Sequence, residues 1–260
     1  MKAIDTFLLW KLRPATASDW IKRVLRWKRK RIKCQHGEFW VDTASNFGFK
    51  IAYTNGEYEP EMICCLSNIL RHGDTFIDLG SNEGFFSVIA SKLVGQSGRV
   101  IAIEPQQRLH NVLLTNFSLN QCLNINLECL AIGKKNDFVS FNLAPSTNTG
   151  SSGIVRATKY RVPQEIVRIT TLTELIRKNS INKSRIIKID IEGGEYDAIL
   201  GSQEIFRAHL FDYIALELHP SQLERQGLSC RAITDFLTEC GYTIDTRFSN
   251  LVLKSPNTDC

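Results

Sequence analysis

The chain has 260 residues, 43% of them hydrophobic and 23% charged, which suits one sizeable domain with a full core and is ordinary for soluble globular material. No apolar run approaches the length of a membrane span. The eight cysteines are scattered without a Cys-x-x-Cys pair and no secretory signal is read, so reduced thiols in a cytoplasmic protein, peripheral at the membrane at most, are expected.

The net charge of +5 hides an asymmetry: eleven of the 32 Lys and Arg precede Cys34 with only Asp5 and Asp19, whereas the remaining 21 face 25 acidic residues. Residues 1–33 form a basic, tryptophan-containing extension with Trp10, Trp20 and Trp27. A helix over 17–30 would place Ile21, Val24 and Leu25 on one face, with basic residues around the rest. It reads equally as a membrane-surface or partner helix (residues 17–33) and as a solvated basic face packed on the domain. Nucleic acid is not expected, because aromatic and basic residues stop before the main domain begins.

Over 34–73 the pattern changes to short alternating pieces, 38–41 and 47–53, broken by Gly37, Gly48 and Asn55-Gly56, which predicts a small β-hairpin region. A lead-in helix over 62–71 follows, with Tyr58 and Glu59 read as its entry. The main domain is expected over 74–260.

The stretch 75–105 reads as strand, glycine turn, helix, second turn and parallel strand. Gly80 lets the chain turn sharply, Gly84 clears the first turn of the helix, and the N–H groups of Ser81, Asn82 and Glu83 would face a ligand there. Glu104, at the end of the next strand, is placed to accept both hydroxyls of a ribose. The glycines are spaced Gly80-x-x-x-Gly84 rather than in the pyrophosphate pattern, and Asp78 adds negative charge where phosphate would be unwelcome. S-adenosylmethionine, cationic and free of phosphate, therefore fits better than a nicotinamide dinucleotide.

Alternation continues with a helix over 106–120, strands over 125–131 and 137–143, a helix over 171–179, a strand over 185–191, a helix over 195–207, and a strand over 213–218. A helix over 230–240 and strands over 242–247 and 251–253 close the chain. About seven core strands and an antiparallel last pair make a doubly wound α/β sheet. Ala131, where the 125–131 strand ends, is placed with the donor residues. The Ser, Thr, Asn and Gly-rich stretch 144–163 is too polar to pack and is expected to be a mobile lid.

In 186–195, alternation puts Lys188, Asp190 and Glu192 on one side of a strand and the isoleucines on the other. A lysine inside an apolar strand needs a carboxylate beside it, and Asp190 is the nearest candidate. The next strand end presents Glu217 and His219.

The segments FIDLGSNEGFFS, GRVIAIEP, STNTGSSG, TLTEL, IIKIDIEGGEYDAILG and ALELH together resemble the FkbM-type family of S-adenosylmethionine-dependent methyltransferases over about 37–253. The resemblance implies a Rossmann-like class I methyltransferase sandwich, a seven-stranded mostly parallel sheet with helices on both faces. It implies donor contacts from Asp78, Gly80, Asn82, Gly84 and Glu104, and acceptor-side or catalytic roles for Asn148, Lys188, Asp190, Glu192 and His219. The implied acceptor is a hydroxyl of a sugar, glycan or related natural product. Thr173 stands where the family usually has Asp.

In-line methyl transfer needs alignment and removal of the acceptor proton, for which His219 or Asp190 is a candidate base, with Glu217 beside the acceptor. A divalent cation on Asp190, Glu217 and His219 is an alternative that is not expected. The rival readings are a catalytically silent nucleoside-binding or scaffold domain and, less favoured, a nicotinamide-dependent oxidoreductase.

Overall fold

A computed structural model describes residues 16–45, 58–155 and 162–258. Helix α1 (Thr16–Val24) precedes an antiparallel hairpin, β1 (Lys30–Cys34) and β2 (Gly37–Val41), and helix α2 (Pro60–Ile69) leads into the main sheet. That sheet holds β3 (Thr75–Leu79), β4 (Arg99–Ile103), β5 (Ile125–Glu128), β9 (Ser184–Ile189), β10 (Phe211–Leu216), β11 (Thr243–Ile244) and β12 (Val252–Lys254). Its order is β11-β12-β10-β9-β3-β4-β5, parallel except that β12 runs against both β10 and β11.

The strands are nearly all apolar because both faces are covered. On one side Phe76, Val100, Ala102, Ile186 and Ala215 pack with α2, α3 (Phe85–Val94) and α4 (Gln107–Leu119). On the other, Ile77, Ile101, Ile187 and Ile214 pack with α5 (Leu172–Lys178), α6 (Glu195–Leu200) and α9 (Cys230–Glu239). Two further short helices, α7 (Gln203–Arg207) and α8 (Pro220–Glu224), follow β9 and β10. Strand order reverses between β3 and β9, the place where such sheets take ligands.

The structure departs from sequence expectation at several elements. The helix expected over 17–30 ends at Val24, and Lys30–Cys34 is a strand, because pairing with β2 outweighs the helical tendency of an isolated basic stretch. The piece at 38–41 is a strand paired with Lys30–Cys34; the piece expected at 47–53 lies outside the described residues, together with Asn55-Gly56 and Trp10. The strand expected over 125–131 stops at Glu128. Ala131–Ile132 (β6) instead joins β7 (Asp137–Asn142) and β8 (Gln164–Thr170) in a separate three-stranded sheet. Strand β8, unforeseen, buries Val167 and Ile169 and turns Ile166 and Arg168 outward.

The single helix expected over 195–207 is broken at Gly201 and Ser202. A Cβ at Gly201 would lie 2.8 Å from the Lys134 backbone, so the chain turns there to let another segment pass. The part of the polar 144–163 stretch that is described does pack: Thr147, Thr149 and Ser152 are buried, and Asn142 and Gly153 pair as an isolated bridge. Residues 156–161 lie outside the described set. The seven cysteines described are free thiols, and no helix among the described residues is long and apolar enough to cross a membrane.

Candidate active site

The main cleft lies over the carboxyl ends of β3, β4 and β9 and is lined by Gly80, Ser81, Asn82, Glu104, Ala131, Asn148, Lys188, Asp190, Glu192 and Glu217, among others. Asp78, Gly84 and His219 do not line it. Asp78 lies beneath the floor, fully buried, with Oδ2 accepting from Ser87 Oγ at 2.6 Å and Oδ1 3.8 Å from Lys188 Nζ. Gly84, expected to make room for a ligand, makes room for α4: a Cβ would lie 2.7 Å from Phe117 and 2.9 Å from Leu113.

Gly80 has φ +84, and a Cβ there would come 1.9 Å from the carbonyl oxygen of Asp190. Its glycine therefore lets the turn after β3 touch the chain leaving β9, a requirement invisible in the local sequence. Among the described residues, three of the seven non-glycine residues at positive φ line this cleft, Glu59, Asn82 and Glu192.

The Glu104 carboxylate is 3% exposed and accepts two backbone N–H bonds, Oε2 from Asn82 at 2.8 Å and Oε1 from Gln106 at 2.9 Å. Burial pushes its pKa up to about 7, opposed by those two N–H donors. Thr149 Oγ1 donates to Asn82 Oδ1, and Gln106 Nε2 donates to the Thr149 carbonyl, so the 3₁₀ turn at Thr149–Ser151 is tied to the Gly80 turn.

Lys188 is 2% exposed, with Nζ 3.0 Å from Asp190 Oδ2 and over the Phe86 ring. Burial pulls its pKa down, but Asp190 and Asp78 outweigh that and hold it above the ordinary lysine value. His219 sits behind Asp190 and Glu192, Nε2 3.6 Å from Glu192 Oε2 and 3.8 Å from Asp190 Oδ1. Its Nδ1 lies 2.9 Å from Glu195 Oε1, which also accepts from the N–H groups of Ile191 and Gly193. With that oxygen already the acceptor of two amide N–H bonds, Nδ1 is assigned as the donor in this contact. Burial lowers the His219 pKa, but the Glu195 hydrogen bond and the Glu192, Glu195 and Asp190 charges carry it up to about 9. Burial raises Glu192 to about 7, with His219 opposing. Asp190, Glu217 and His219 offer ligand atoms within 4.8 Å of one another.

Sequence reasoning did not assign Glu195 to the site, since an acid in a first helical turn reads as a dipole partner. Tyr58 and Glu59, read as a helix entry, line the cleft, as do Gln106 and Phe86. None of these carries a local signal; they arrive from separate elements.

The cleft suits S-adenosylmethionine. Glu59, Asp190, Glu192 and Glu217 surround one lysine, an excess of negative charge that favours a sulfonium and an ammonium over phosphates, and Leu130, Ala131, Ile132 and Phe141 offer an apolar wall for a base. Glu104 lines the same cleft, both of its carboxylate oxygens held by backbone N–H groups.

Residues 78–244 match the family model described as the methyltransferase FkbM domain. Residues 8–130 match that of protein-L-isoaspartate(D-aspartate) O-methyltransferase, over less than half of the chain. No curated protein matches. Among solved structures the chain is similar to methyltransferase FkbM from Methylobacillus flagellatus KT, at 16% identity and TM-score 0.49, covering 97% of this chain and 58% of that one. It is also similar to a putative rRNA-methylase from Clostridium thermocellum, at 11% identity and TM-score 0.47, covering 75% and 94%. A third is fibrillarin from Aeropyrum pernix with natively bound S-adenosyl-L-methionine, at 14% identity and TM-score 0.41, covering 74% and 72%.

Proposed function

This chain belongs to the methyltransferase FkbM family of S-adenosylmethionine-dependent enzymes, and we propose that it transfers the methyl group to a hydroxyl of a glycan or related natural product. The observation that carries the reading is a carboxylate at the cleft, Glu192, with a pKa raised to about 7 and a charged imidazole 3.6 Å behind it.

The bound donor supplies a methyl carbon already activated by the sulfonium. The chain supplies alignment and a proton acceptor. Glu104 holds the ribose, the apolar wall at Leu130 to Ile132 takes the base, and the carboxylates at the mouth take the positive end. Between the two bases first considered and Glu192, the electrostatics favour Glu192. Asp190 is held in an ion pair with Lys188 at 3.0 Å, and His219, raised to about 9, is already protonated near neutral pH. Glu192 takes the proton of the acceptor hydroxyl. His219, held through Nδ1 by Glu195, is a positioning residue whose charge opposes the upward shift of Glu192.

The test is incubation with isotopically labelled donor and a panel of hydroxylated glycans, with matched amines and thiols, followed by mass spectrometry of the products. O-methylated glycan is expected, and Glu192→Gln should bind donor normally while turnover falls by about 10²- to 10⁴-fold. Label found only on nitrogen or sulfur would replace the acceptor class, and donor binding without transfer to any acceptor would favour a silent scaffold.

A further inference from the structure

On a helix packed against a globular domain, the apolar face is normally the buried one. Helix α1 is reversed. Ser18 and Lys22 face inward at 0% and 7% exposure, while Trp20, Val24 and, just past the helix end, Leu25 face outward at 66%, 60% and 54%. The inward contacts are polar: Lys22 Nζ donates to Asp42 Oδ2 at 2.7 Å and to Ser146 Oγ at 2.8 Å, and Asp19 Oδ1 accepts from the Ser146 N–H at 3.0 Å. These contacts fix which side of the helix turns outward.

They also engage Asp19 and Asp42. Arg23, Arg26, Lys28, Arg31 and Lys33 are all exposed, and none is ion-paired among the described residues. An outward tryptophan with two aliphatic neighbours inside a ring of unpaired cations is the composition of a helix that lies in the headgroup layer of a bilayer, its apolar side in the acyl boundary and its cations on anionic lipid. From this we propose that α1 and the start of the hairpin dock the protein on an anionic phospholipid surface.

The other occupants fit less well. A nucleic acid would engage the cations but leave Val24 and Leu25 without a partner. A second copy in a two-fold contact would set the five cations against their own images, and three apolar side chains supply little of the roughly 800 Å² per partner that a stable interface needs. Docking has a consequence for the cleft. Ser146, gripped by Lys22 and Asp19, begins the stretch whose Asn148, Gly150 and Ser152 line it, so a docked helix holds that side of the cleft next to the lipid.

The test is co-sedimentation of the full chain with vesicles of phosphatidylcholine alone and of an equal mixture with phosphatidylglycerol. Binding to the mixed vesicles, absent from the neutral ones and weakened by salt, is expected. Trp20→Ser with Leu25→Ser should weaken it by about tenfold or more, and Arg23→Glu with Arg26→Glu should abolish the preference for phosphatidylglycerol. Melting temperature and donor affinity should stay unchanged in both variants, since these side chains are exposed and lie outside the cleft. Full chain left in the supernatant with mixed vesicles at low salt overturns the proposal, as does a Trp20→Ser/Leu25→Ser variant that sediments like wild type. Loss of a dimer, or of an RNA oligonucleotide, in place of vesicle binding would assign the face to that occupant and overturn it too.

Discussion

Arg29 donates from both terminal guanidinium nitrogens to the two oxygens of Glu83, each at 2.9 Å, and so ties the amino-terminal segment to the turn that follows β3. Glu83 is fully buried at its side chain and Arg29 is 19% exposed. The Glu83 carbonyl accepts from Asn116 Nδ2, whose Oδ1 in turn accepts from the Trp40 N–H. Residues before 78, where the family match begins, therefore help to hold the turn after β3 in place.

Arg29→Ala should cost about 3–5 kcal/mol, because it leaves a buried carboxylate without its cation. Replacing both partners, Arg29→Met with Glu83→Leu, should recover most of that stability. Urea denaturation of the two variants measures it, and equal losses in both would show that packing rather than charge holds the turn.

Glu104 links pH to donor binding. Burial holds its folded-state pKa at about 7, above the ordinary 4.5 of a glutamate, so the folded chain holds this proton more tightly than the unfolded chain does. Its contribution to stability is thus present below the lower value and is lost as pH rises through about 7. Donor affinity runs the other way, because the ionised form accepts ribose hydroxyls: the dissociation constant should rise as pH falls below about 7, up to about tenfold per unit. Calorimetry from pH 5 to about 8 checks this, and Glu104→Gln should flatten the curve. A wild-type affinity independent of pH would remove Glu104 from the donor site.

Glu195 and His219 set the pH range of turnover. Activity should rise as Glu192 ionises near pH 7 and fall as His219 loses its proton near pH 9. Glu195→Gln removes the hydrogen-bond partner 2.9 Å from Nδ1, so the His219 pKa falls and its cation is lost earlier. The alkaline limb of the pH–rate profile should therefore move to lower pH and the maximum should drop. A merely structural role for Glu195 would lower the maximum and leave both limbs where they were.

Gly80 and Gly227 separate close approach from backbone conformation. Both have positive φ, +84 and +70, but a Cβ at Gly227 meets nothing within 4 Å, whereas one at Gly80 lies 1.9 Å from the Asp190 carbonyl oxygen. Gly227→Ala should cost only the left-handed penalty, about 1–2 kcal/mol. Gly80→Ala should cost more and also weaken donor binding, because Asp190 must move. Equal melting temperatures for the two variants would contradict the contact between the β3 and β9 loops.

Much of the architecture follows from local pattern. The apolar runs ending in Gly80, Glu104 and Asp190 alternate with helical stretches of the right length, and a parallel sheet covered on both faces is what such alternation must build. The same period-two argument put Lys188 on the side of Asp190, and the two are paired at 3.0 Å. Sequence alone could not decide contacts that join distant segments. That Gly84 serves Phe117, that Gly80 is forced by the backbone of Asp190, and that Glu195 meets Nδ1 of His219 at 2.9 Å are facts about atoms brought together from different elements. The reversal of α1 is of the same kind. Its periodicity shows an apolar face and a polar face, but which one turns inward depends on Asp42 and Ser146, 20 and 124 residues from Lys22, forming a buried polar contact that only the folded chain creates.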